Sequence, residues 1–220
     1  LSDINTQTLE ETRALLPQQN VTADVQVVDT ANKQAVHDWA DRIAAAETHV
    51  DFVVNNAGVA LMASVEDMSY EDAEWLMGIN FWGVMYGCKA FLPLLRNATQ
   101  GHLINISSLF GIISVPTQSA YNAAKFAVRG FTEALRQELE DTNVHVCCVH
   151  PGGIKTNIAR DARGEDPLIP REQRGAEFEK MARTTPASAA AQIITAAERQ
   201  QRRLLIGADA KALSGIARLF

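Results

Sequence analysis

The stretch NVHVCCVHPGG, residues 143–153, decides the architecture. From Val144 to Val149 it is almost wholly apolar, without the alternation of a strand that has one face in water. A strand of that kind needs cover on both faces, as in a parallel sheet sandwiched between helices. Pro151, Gly152 and Gly153 then end the run abruptly. Similar runs recur at ADVQVV (23–28), VDFVV (50–54), HLINIS (102–107) and RLLIG (203–207). Between them lie helix signals over 33–48, at Ser69 with Asp72 three residues on as a capping box, over 119–140, and over 187–200 behind Pro186. Strand alternating with helix predicts an open, doubly wound α/β sheet, which binds ligands at the carboxyl ends of its strands.

A chain of 220 residues with 47% hydrophobic composition can bury one sizeable core, so residues 1–220 are read as a single domain. Residues 157–186, charged and punctuated by Gly164, Pro167 and Pro170, break the pattern and read as a mobile insertion, either a substrate lid or a plain surface loop. A net charge of −6 argues against a nucleic-acid or anionic-membrane partner and leaves a small molecule. The most apolar long segment, 75–95, is interrupted by glycines, Asn80 and Pro93, so no membrane span is expected. Three cysteines, two adjacent at Cys147 and Cys148, suit buried thiols in a reducing compartment, hence the cytoplasm. No metal ion is expected. Neither G-x-x-x-G-x-G nor G-x-G-x-x-G occurs, and the opening LSDIN reads as the end of a strand. About one β-α unit is therefore expected to be absent before Leu1, and these 220 residues to bind a dinucleotide weakly.

In SAYNAAKFAV, residues 119–128, Tyr121 and Lys125 stand at i and i+4, on one face of a helix. Bringing a phenol from a pKa near 10 toward neutrality takes roughly 4 kcal/mol of preferential phenolate stabilisation. A lysine beside it supplies that only where water is partly excluded, as Ala120, Ala123, Ala124 and Phe126 would do. Alone, the pair is equally an incidental helical pair. Ser107 and Ser108 close HLINIS, NNAG (55–58) closes VDFVV and PGGIKT (151–156) closes VCCV, so three strands end in small or polar turns at one sheet edge.

Taken in order, VVDT, NNAG, GINFWG, NISS, YNAAK and PGGIKT resemble the classical short-chain dehydrogenase/reductase family, over essentially the whole chain. The resemblance implies a Rossmann-like three-layer fold and a catalytic set of Asn80, Ser108, Tyr121 and Lys125, with Ser108 the serine thirteen positions before the tyrosine. Tyr121 would move the proton, Ser108 would hold the substrate oxygen, and Lys125 would lower the tyrosine pKa and bind the nicotinamide ribose. The main chain of Asn80 would anchor a water relaying protons to Lys125; without the motif, Asn80 reads as a solvent-facing helix residue. Asp29 and Thr30 would bracket the adenine, and Asn55, Asn56, Ala57 and Gly58 would wall its ribose. Pro151, Gly152, Ile154 and Thr156 would hold the carboxamide. Asp3 occupies the position that chooses between NAD and NADP, and its carboxylate favours NAD.

Ser107 is expected to pack or to bond the backbone, and His150 to be a strand-end histidine with one buried nitrogen. Trp39, Trp75 and Trp82 read as core or subunit-contact aromatics. The small-residue stripe Ala123, Ala127, Gly130 and Ala134, with the family's habit of pairing through this helix, predicts a homodimer or homotetramer. The expected activity is the interconversion of a secondary alcohol and a ketone. Leu109, Phe110, Ile112, Ile113 and Val115 would line an apolar substrate pocket. Two rivals are a catalytically silent ligand-binding or scaffold protein and an isomerase sharing the Tyr-Lys pair. An oxidoreductase releases NADH, an isomerase regenerates its cofactor within the turnover, and a sensor binds without turnover.

Overall fold

The computed structural model describes residues 1–16, 21–166 and 169–217; Pro167, one of the residues that marked the insertion, lies outside them. The elements run β1 (Ser2–Asp3), α1 (Thr6–Ala14), β2 (Gln26–Val27), α2 (Lys33–Ala46), β3 (Phe52–Asn55) and α3 (Tyr70–Met77). A π-helical turn, Gly78–Trp82, joins α3 to α4 (Gly83–Asn97). Then come β4 (Gly101–Ile106), a 3-10 turn at Leu109–Gly111, α5 (Ser119–Glu138), β5 (Val144–Pro151), α6 (Arg171–Met181), α7 (Pro186–Glu198), β6 (Arg203–Ile206) and α8 (Ala208–Ile216).

Side chains cap the helices where the sequence calls for it. Ser69 Oγ accepts from the Asp72 amide and donates to the Asp72 carboxylate, and Asn32 and Thr185 cap α2 and α7. Helices α1 and α8 were not among the expected elements. The first buries only Leu9 and the second only Ala210 and Ser214, so neither carries an apolar stripe that a sequence reading could find.

Strands β3, β4, β5 and β6 form a parallel sheet in that order, while β1 and β2 pair with each other in a separate parallel ribbon. The strand expected over 23–28 narrows to Gln26–Val27, because β1 offers only Ser2 and Asp3 as partners. Along β4 and β5 the two faces are buried in turn. Leu103, Val144 and Val146 pack with Val84, Cys88 and Leu95 of α4 and Val128 and Leu135 of α5. Ile104, Cys147 and Val149 pack on the other side with Ala189 and Ala197 of α7. This is the three-layer, Rossmann-like arrangement that the apolar runs require.

Helix α2 rests on α4, where Trp39 meets Phe91 edge to face with ring centroids 5.0 Å apart. The three cysteines are free and buried. Among the described residues no helix is long and apolar enough to cross a membrane. The 157–186 insertion is more built than its composition suggested. It contains α6, and isolated bridges pair Leu61 with Arg163 and Ile154 with Thr184. Buried Arg174 donates from Nε to the Ile169 carbonyl and from Nη1 to the Gly164 carbonyl.

A strand covered on both faces makes a distinctive prediction. Leu103 and Ile104 are 0% and 1% exposed and point to opposite layers, so Leu103→Ala and Ile104→Ala should each lower stability by about 2–5 kcal/mol in urea unfolding. A near-zero cost for either would mean that its face is not packed as described.

Candidate active site

Helix α5 carries Tyr121 and Lys125 one turn apart, both buried, at 8% and 3% exposure. The Lys125 Nζ donates to the Ile106 carbonyl at 3.0 Å and lies 5.7 Å from the Tyr121 ring centroid. Ser107 Oγ donates to the Lys125 carbonyl at 2.8 Å, which is the backbone bond expected of that serine and ties α5 to the end of β4. The tie needs Gly111, because a Cβ there would stand 2.3 Å from Ser107 Oγ and 2.6 Å from the Lys125 carbonyl oxygen.

Ser108, extended at φ −162°, caps the 3-10 turn by accepting from the Phe110 amide at 3.1 Å. Asn80 sits in the π-helical turn and is fully buried, so the solvent-facing alternative is set aside. Its Oδ1 accepts from the Val59 amide at 2.8 Å and its Nδ2 donates to the Val59 carbonyl at 2.9 Å, which pins the turn after NNAG. A Cβ on Gly58 would lie 3.4 Å from Asn80 Oδ1 and 3.6 Å from Lys125 Nζ, so glycine, asparagine and lysine meet in one place.

Burial dominates the electrostatics. It pushes the Tyr121 phenol above its ordinary range, and hydrogen bonding with the Ser108 hydroxyl pulls the other way. Burial also drives Lys125 down to about 8, with the nearby Cys148 opposing it. The sequence expectation that Lys125 draws the phenol toward neutrality is therefore not met here. Both groups have lost their water, and the ammonium is tethered to Ile106 rather than to the phenol oxygen.

The family model described as short chain dehydrogenase matches residues 1–167. The chain belongs to the short chain dehydrogenase family. A candidate oxidoreductase of Mycobacterium tuberculosis named SadH is 45% identical over 226 residues, covering 100% of this chain and 80% of that protein. The 3-ketodihydrosphingosine reductase of Bacteroides thetaiotaomicron is 39% identical over 132 residues, which is 60% of this chain and 49% of that protein. Among solved structures, a short chain dehydrogenase/reductase from Burkholderia phymatum in complex with NAD superposes with a TM-score of 0.86 at 25% identity, covering 100% of this chain and 82% of that one.

In this short chain dehydrogenase the remaining expected site residues are distributed unevenly. Asp3 and Asp29 are exposed at the carboxyl ends of β1 and β2, where each accepts from the amide two residues on, Asn5 and Ala31. Thr30 packs against Gly83, just past the π-helical turn. Asn56, Ala57 and Gly58 are exposed, but Asn55 turns its side chain inward, donating to Asn105 Oδ1 at 2.8 Å. From there the buried chain continues through Asn105 Nδ2 to Thr132 Oγ1 at 3.0 Å. Pro151 ends β5, Ile154 bridges to Thr184, and Thr156 is exposed. Among the expected pocket residues Phe110 meets Tyr121 edge-on at 6.3 Å, whereas Leu109 is buried.

Three residues escaped the sequence reading. Asp209, at the start of α8, accepts from the Gly153 amide at 2.8 Å, and a Cβ on Gly152 would come within 2.2 Å of its carboxylate. The glycine is thus required by Asp209, a contact signalled only by the GAD after the last strand. Arg163 lies 3.8 Å over the Trp75 ring and pairs with Asp72 at 3.2 Å, fastening the insertion to α3. Arg174 anchors the insertion from within, as described above.

His150, fully buried in β5, has its pKa driven down to about 4 from 6.5, first by burial, with Arg203 and Arg129 adding to the fall. A histidine held neutral in the fold but free to charge when unfolded costs stability as acid is added. The loss begins as pH falls below 6.5 and is complete near 4. His102, lowered chiefly by burial, adds in the same direction. Urea unfolding across this range should show the decline for the native chain and a shallower one for His150→Asn; equal slopes would remove His150 from the account.

Proposed function

We propose that this short chain dehydrogenase is an NAD-dependent oxidoreductase interconverting a secondary alcohol and a ketone, with Tyr121 as general acid and base. The observation that carries the reading is the burial of Tyr121 and Lys125 together at the strand ends, with the Ser108 hydroxyl acting on the phenol. The nicotinamide-ribose end of such a cofactor fits the residues present. Among the described residues the Lys125 ammonium has one acceptor, Ile106, and lies beside the exposed Gly58 turn, so it has N–H groups left for a ribose diol. The relative solved with NAD supports that assignment. When bound, such a cofactor gives or takes the hydride.

The chain's own groups handle the proton and the positioning. Ser108 donates a hydrogen bond to the substrate oxygen and fixes its place. Tyr121 gives its proton to a ketone oxygen, or as phenolate takes one from an alcohol. Lys125, anchored on the Ile106 carbonyl, holds the nicotinamide ribose beside Tyr121. Asn80, bonded to both polar groups of Val59, holds the turn that carries Gly58. Asp3 presents a carboxylate suited to a ribose 2'-hydroxyl and repellent to a 2'-phosphate, so NAD is preferred over NADP.

The substrate is apolar. Phe110, Met62 and Ile158 cluster about Tyr121, and residues 157–186, bridged to Leu61 through Arg163, serve as its lid. The relative named for reducing 3-ketodihydrosphingosine supports a ketone of this character. Two copies pair through α5, where Ala123, Gly130 and Ala134 are exposed and a Cβ on Gly130 would meet nothing within 4 Å.

With the full chain, NAD and a panel of apolar secondary alcohols, NADH should appear by absorbance. Tyr121→Phe should abolish it, by at least about 10²-fold, while calorimetry shows unchanged NAD binding. Retained turnover in Tyr121→Phe would overturn the proton-transfer assignment.

A further inference from the structure

At the end of β4 the chain must turn sharply. The Ser107 amide still pairs with the Val149 carbonyl of β5 at 2.8 Å, and the next residue, Ser108, starts the 3-10 turn. At this corner the Ser108 carbonyl oxygen accepts from two sides. The Gly111 amide closes the turn at 3.0 Å, and the ring Nδ1 of His150 approaches at 3.0 Å from β5. A carbonyl has no proton to give, so Nδ1 carries the hydrogen and neutral His150 is the Nδ1–H tautomer. Its Nε2 is buried and, among the described residues, has no partner. The ring's one polar contact is thus with the backbone of Ser108. Two donors on one oxygen use both of its lone pairs and fix the peptide plane that follows Ser108. That plane leads into the turn whose Phe110 amide donates to the Ser108 hydroxyl at 3.1 Å, so it bears on where the hydroxyl sits.

We infer that His150 is a positioning residue, holding the Ser108 carbonyl from the β5 side so that the Ser108 hydroxyl points at Tyr121. The inference rests on the reading of Ser108 and Tyr121 as the pair that meets the substrate oxygen. A displacement near 1 Å at such a site costs on the order of 10²-fold in rate. The ring also fills a fully buried position, so variants must separate its packing from its donor.

The test uses the full chain and three substitutions. His150→Leu keeps bulk and removes the donor. His150→Gln keeps polarity, but its amide falls nearer the Nε2 position. His150→Asn places an amide nitrogen where Nδ1 was. Leu and Gln should lower kcat by roughly 10- to 100-fold with NAD affinity unchanged, and Asn should restore it to within a few-fold. The second readout needs no turnover: the Tyr121 ring-carbon Cζ resonance at neutral pH, assigned through Tyr121→Phe, should move in the Leu and Gln variants and return in Asn. A native chain that turns over no alcohol would defeat the oxidoreductase reading, yet the resonance would still decide the role of His150. An unmoved resonance in Leu or Gln, or the same loss in all three variants, would overturn the inference.

Discussion

The docking of α5 onto the end of β4 is the constraint from which the site follows. Two bonds make it: the Ser107 hydroxyl to the Lys125 carbonyl and the Lys125 ammonium to the Ile106 carbonyl. A lysine 3% exposed would be costly without a partner, and the strand-end carbonyl is what makes its burial tolerable. Once Lys125 is held, the helix period brings Tyr121 to the same end of the sheet, and Gly111 lets the turn after Ser108 lie against the helix. Position in sequence thus becomes position in space through two hydrogen bonds and one missing side chain.

Around this point the support is layered. The π-helical turn presents Asn80 inward, so that one side chain satisfies both polar groups of Val59. Farther back, Asn55, Asn105 and Thr132 carry a line of buried polar contacts from β3 through β4 to α5. Such a line is costly if broken and specifying if complete, because each buried polar atom accepts few alternatives. The glycine turn after β5 is held from its far side by Asp209, so the last described helix bears on the same end of the sheet.

Much of this was legible in the residues. The unbroken apolar run of β5 and the alternation of elements led to a parallel, two-faced sheet, and the Tyr121–Lys125 spacing led to the site. What escaped has a common cause. Helices α1 and α8 bury too little to leave a periodic signature. Asp209, Arg163 and Arg174 act through partners distant in sequence, or through backbone atoms that any residue could offer. The phenol's upward shift was missed for another reason. The sequence reading expected water to be partly excluded around the pair; burial goes further, raising the phenol and lowering the ammonium, and the ammonium bonds to Ile106 rather than to the phenol oxygen.

The low Lys125 pKa, about 8, has a consequence for the energetics of ligand capture. Near that pH Lys125 holds its ammonium proton only part of the time. A ligand whose oxygens accept from the ammonium favours the charged form and must draw a proton from the medium as it binds. The heat of association would then carry a share belonging to the buffer, differing between buffers of different ionisation enthalpy, and affinity would weaken as the solution becomes more alkaline. Lys125 would then act as a small proton reservoir whose filling is coupled to ligand binding.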